Sequence, residues 1–92
     1  MALQILENNG SFYILGNISC ENVFSMKQYI ESILEKRKYV TIDITQVTRI
    51  DIQGVLTLTQ IYQDALLAKK IFTIIGVGSK DLYDHFNSQR IA

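Results

Sequence analysis

Apolar positions along the chain follow two periods. Four short runs have the character of strands: Leu3-Gln4-Ile5-Leu6, Ser11-Phe12-Tyr13-Ile14-Leu15, Tyr39-Val40-Thr41-Ile42-Asp43-Ile44 and Ile71-Phe72-Thr73-Ile74-Ile75. β-Branched and aromatic side chains pack well on a pleated surface and lose rotamer freedom in a helix. Two longer segments carry apolar residues at helical spacing. In the first, Val23, Met26, Ile30, Ile33 and Leu34 fall on one arc, with Gln28, Glu31, Ser32 and Glu35 toward water. In the second, the arc is centred near Val55, Leu58, Tyr62 and Leu66, with Ile52, Leu56 and Leu67 to one side of it beside Gln60 and Gln63. The first two runs flank Asn9-Gly10, which predicts an antiparallel hairpin because both residues tolerate positive φ. Ser19 is placed to cap the first helix, which should run to about Lys36.

The centre of the pattern is the junction Arg49-Ile50-Asp51-Ile52-Gln53-Gly54. The run at 39–44, the helix after Asp51 and the run at 71–75 form a βαβ unit, whose strands should be parallel and whose crossover should be right-handed. Asp51 is expected to be the N-cap, accepting from the backbone N–H of Gln53 or Gly54. Lys69-Lys70 place positive charge at the negative end of the helix dipole. Gly54 lies inside the first turn, where it costs ~1 kcal/mol relative to Ala. That cost suggests a close approach to its backbone. Ser79 is expected to cap a short closing helix over 80–86, in which Leu82 and Phe86 lie one turn apart, and the tail 88–92 is expected to be loosely held.

On these residues the chain resembles a known family. A strand like Val40-Thr41-Ile42-Asp43-Ile44, a short loop, Ile50-Asp51-x-x-Gly54 opening a long helix and a strand like Phe72-Thr73-Ile74-Ile75 are similar to the STAS domain of anti-sigma factor antagonists. Tyr13-Ile14-Leu15-Gly16-Asn17-Ile18 resembles the family's second strand and the turn into its first helix. The implied fold is α/β: one small domain over 1–92, with a mixed sheet of about four strands packed with helices. In phosphorylated members the positions between the Asp and the Gly are commonly a Ser pair, the first of which an anti-sigma kinase modifies. Here they are Ile52 and Gln53, which cannot accept phosphate.

Composition narrows the function classes. The 92 residues suit one domain, and 48% hydrophobic with 20% charged side chains is a globular balance. Nine basic and nine acidic side chains cancel, leaving no global field for nucleic acid or an anionic membrane. Lys36-Arg37-Lys38 reads as a charge cluster at a helix C-terminus. With one Cys, Cys20, and one His, His85, no intramolecular disulfide or structural zinc site is expected. No run spans a bilayer and no secretory signal begins the chain, so a cytoplasmic protein is expected, without direct membrane insertion. Gly76-Val77-Gly78 matches neither a dinucleotide fingerprint nor a P-loop. Asp43 and Asp51 flank one loop as a conceivable carboxylate pair, but Asp51 has a capping role and Asp43 alternates with Ile42 and Ile44. No catalytic residue, metal ligand or cofactor is expected.

The expected site is therefore a docking surface for a protein partner, formed by Asp51, Ile52, Gln53, Gly54 and Leu56, an apolar edge with polar neighbours. The competing expectation is that Ile52 folds under a neighbouring loop and Leu56 packs on the last helix. Thr48, Thr57 and Ser79 are the remaining candidate phosphoacceptors near that end of the sheet. The resemblance implies a bacterial regulatory module of transcription that acts by partner switching, contacting an anti-sigma factor or a related kinase. The alternative it implies is a cytoplasmic subunit of a lipid ABC transporter, docking on the ATPase. Homodimerisation through the apolar edge, centred on Leu56, is a third reading.

Overall fold

A computed structural model describes residues 3–76. The expected closing helix, Ser79, His85 and the tail lie outside the described residues. The elements run β1 (Gln4–Asn8), β2 (Ser11–Ile18), α1 (Val23–Lys36), β3 (Tyr39–Asp43), β4 (Val47–Ile50), α2 (Ile52–Leu67) and β5 (Ile71–Ile75). The hairpin closes on Asn9 (φ 53°) and Gly10 (φ 84°), both positive as a type I′ turn demands. It pairs β1 with β2 in antiparallel register, Glu7 opposite Phe12. β3 lies parallel to β2 on one side and to β5 on the other, giving the order β1-β2-β3-β5.

Among the described residues the sheet has five strands, one more than the pattern indicates. β4 pairs in parallel with the far end of β2, past the point where β3 stops, and Ile18 sits opposite Ile50. Its four residues show no alternation of buried and exposed positions, so no period marked them. The β3–α2–β5 unit has the parallel strands expected of it.

Burial alternates along β2, β3 and β5. Phe12, Ile14, Val40, Ile42, Phe72 and Ile74 all point into one core, which the buried faces of both helices close. From α1 come Met26, Ile30 and Leu34, on the predicted arc. From α2 come Gly54, Leu58, Ile61 and Ala65. The α2 arc is thus rotated from the expected one, and Leu66 is 52% exposed.

The helix ends also differ from expectation. Ser19 does not cap α1; the N-cap is Asn22. The Ser19 carbonyl accepts from the amides of Asn22 and Val23. The Asn22 amide side chain accepts from Ser19 N–H at 3.0 Å and donates to the Asn17 carbonyl at 2.8 Å. At the end of α2, Lys69 adopts φ 61°. Its N–H donates to Leu66, and Lys70 N–H donates to Ala65. These two bonds make a Schellman closure around a non-glycine residue. The Lys70 ammonium donates to the carbonyl of Leu34 in the last turn of α1, a group without an intrahelical partner. Lys70 thereby ties the ends of the two helices together.

Arg37, in the basic cluster after α1, pairs with Glu7 at 3.0 Å and lies 5.3 Å from the centroid of the Phe12 ring.

Candidate functional site

β4 runs directly into α2, so the N-terminus of the helix emerges at the carboxyl end of the sheet. Asp51 is extended (φ −93°, ψ 179°) and its Oδ1 accepts from Gly54 N–H at 2.9 Å, the expected N-cap bond. Its Oδ2 accepts from the backbone N–H of Cys20 at 3.0 Å. One carboxylate therefore fixes the start of α2 and holds the loop that leads into α1. Negative charge there is favoured by the helix dipole.

Gly54 is buried. A Cβ built there would lie 2.7 Å from Ile18 Cγ2 and 2.7 Å from Ile50 Cγ1. The close approach that its position suggests comes from the protein's own β2 and β4, beneath the helix. Gly54 shapes the site from below and presents no side chain to a partner.

The first turn of α2 presents the remaining expected residues. Ile52 is 59% exposed and Leu56, one turn on, is 39% exposed. Gln53 beside them is exposed. No described residue folds over Ile52 far enough to bury it, contrary to the competing expectation; the helix against which Leu56 was expected to pack lies outside the described residues. Thr48 is exposed on β4 and its hydroxyl is engaged with Asn17 Oδ1 at 2.5 Å. Thr57 is half-buried on α2. Asp43 accepts from Thr45 N–H at 2.8 Å, so Asp43 and Asp51 each hold backbone amides in their own loops. Cys20 and Asn22 were missed as parts of this region, because the contact between Cys20 and Asp51 joins residues 31 apart in sequence.

The geometry defines a class: a small α/β domain in which a strand feeds a carboxylate-capped helix whose first turn displays an apolar side chain. The STAS domain family model matches residues 1–88, and the chain belongs to the STAS domain family. Solved structures share the fold. An anti-sigma factor antagonist from Mycobacterium paratuberculosis superposes with TM-score 0.65 at 13% identity, over 98% of this chain and 80% of that one. The anti-sigma factor antagonist SpoIIAA in its unphosphorylated form gives 0.61 at 9% identity, over 94% and 98%. Mglu gives 0.66 at 10% identity over 82% of this chain, which spans only 19% of Mglu. No curated protein sequence matches the chain. Among the described residues no helix is long and apolar enough to cross a membrane.

Proposed function

We propose that this STAS domain is a non-enzymatic regulatory module that binds a protein partner through the first turn of α2. Ile52, Gln53 and Leu56 make the contact, and Asp51 and Gly54 hold them in place. One observation carries this reading: the residue directly after the Asp51 cap is an apolar side chain, Ile52, exposed in the first turn of a firmly anchored helix. Burying it in a complex contributes about 2 kcal/mol. Neither Ile52 nor Gln53 accepts phosphate, so binding is constitutive at this position and regulation lies in abundance or in the partner. Where a family member would gain about −2 charge at a helix start, this chain presents a fixed apolar group.

The fold likeness to anti-sigma factor antagonists favours an anti-sigma factor or a related kinase as the partner. The missing phosphoacceptor suits a transporter ATPase equally well. Partner capture with the tagged chain from its own cells, paired with Ile52→Asp, tests the site and separates the two partners. The charge should abolish capture, because a carboxylate cannot be buried unpaired, while the far-UV circular dichroism stays unchanged. Loss of an anti-sigma kinase from the mutant sample supports the first partner, and loss of a transporter ATPase supports the second. Equal capture by both proteins removes the proposed surface.

A further inference from the structure

The turns that enter β3 and β5 lie side by side at the amino end of the sheet. Ile71 N–H donates to the Lys38 carbonyl at 2.8 Å, and Tyr39 stands opposite Ile71 where the two strands begin to pair. This contact brings together two basic runs that the sequence keeps apart, Lys36-Arg37-Lys38 at the end of α1 and Lys69-Lys70 after α2. Arg37 is paired with Glu7. Lys70 shares the groove between the helices with Glu31, Glu35 and Asp64, which offset its charge. Lys36, Lys38 and Lys69 are exposed. Apolar tips stand between these lysines: Leu67 is 84% exposed, Tyr39 67% and Ile71 54%. Tyr39 and Ile71 alternate with the buried Val40 and Phe72, so they project from the sheet on the side away from the helices and from the acidic groove.

We propose that this end of the domain adsorbs to an anionic lipid surface, with Leu67, Tyr39 and Ile71 entering the interface and Lys36, Lys38 and Lys69 meeting the headgroup phosphates. The interleaving selects lipid over a folded protein. A protein that covered the tips would also bury the lysines between them, at a cost unless each found its own acceptor. At a bilayer surface the ammonium groups remain in the headgroup layer while their stems and the apolar tips sink below it. Tyrosine, apolar in its ring and polar at its hydroxyl, suits that depth. Neither the three lysines nor the three tips would hold the chain alone, and reversible adsorption needs both signals. The orientation that follows is definite. The 16 residues of α2 put its first turn roughly 24 Å from its last, so the Ile52 surface would face away from the bilayer. The inference does not rest on the proposed partner site.

Co-sedimentation of the full chain with vesicles of equal parts phosphatidylcholine and phosphatidylglycerol, against pure phosphatidylcholine, tests the proposal. Wild type should pellet with the mixed vesicles at low salt, stay in solution with phosphatidylcholine alone, and leave the mixed vesicles as salt is raised. Lys38→Gln should lower the partition coefficient about fivefold, the effect of one cation near an anionic surface. Leu67→Ser should lower it about tenfold by removing an apolar tip. Both should keep the far-UV circular dichroism of wild type. Phe24→Ser, at a position 70% exposed at the start of α1, should pellet as wild type does. Wild type that ignores the mixed vesicles, or pellets equally with both lipids, overturns the proposal. A loss on Phe24→Ser equal to that on Leu67→Ser does so as well. A loss on Lys38→Gln with none on Leu67→Ser would assign the lysines to a soluble polyanion and equally overturn it.

Discussion

At Gly54 two opposing effects meet in one residue. Alanine would raise helix propensity by about 1 kcal/mol. Its methyl group would stand 2.7 Å from Ile18 Cγ2 and Ile50 Cγ1. Both are branch carbons next to Cβ, with little freedom to swing away, and Ile18 is itself in the core. Overpacking of this kind costs about 1–3 kcal/mol, so Gly54→Ala should be destabilising by about 1 kcal/mol, read as a lower urea midpoint with an unchanged slope. An equal or higher midpoint would show that the strands yield. Lys69 gives the opposite sign. It holds φ 61° at the end of α2, a conformation that costs a side-chain-bearing residue roughly 1–2 kcal/mol. Glycine adopts it freely but loses more entropy on folding. Lys69→Gly should therefore raise stability by about 0.5–1 kcal/mol, measured in the same titration. The neighbouring Lys70 should not tolerate the change, because its ammonium satisfies the Leu34 carbonyl.

At the level of elements, α2 separates what a hydropathy pattern conveys from what packing decides. Leu58→Ala empties a fully buried position and should cost about 2–5 kcal/mol. Leu66→Ala, at a position the pattern placed on the core arc, should cost no more than about 0.5 kcal/mol. Comparable losses at the two positions would restore the arc read from sequence. The hairpin, the α1 arc and the parallel β3–α2–β5 unit were legible because each is encoded locally, by Asn9-Gly10, by one apolar stripe or by a strand-helix-strand alternation. β4 was not: four residues without alternation become a strand only through pairing with β2. The rotation of α2 was hidden because Gly54, where a Cβ would stand 2.7 Å from Ile18 and Ile50, carries no side chain to mark its face as buried. At the candidate site, the Asp51 cap and the exposed edge at Ile52 and Leu56 could be read from spacing. The second bond of Asp51, to Cys20, and the filling of the space over Gly54 by Ile18 and Ile50 depend on tertiary proximity and leave no trace in the local pattern.

For the molecule as a whole, the first turn of α2 stands outside the single core of close-packed side chains, which includes Ile42, Leu58 and Ile74. Substitutions at sites without shared partners act additively to within about 0.3–0.5 kcal/mol, so partner binding and folding should be separable. Ile52→Asp, at a position 59% exposed, should lose its protein partner and unfold cooperatively at the wild-type urea midpoint. Leu58→Ala should lower that midpoint yet, under conditions where the domain stays folded, bind the same partner with unchanged affinity. The double variant should show both losses. If Leu58→Ala weakened binding in the folded domain, the first turn would be coupled to the core, and the independence of binding from packing would be disproved.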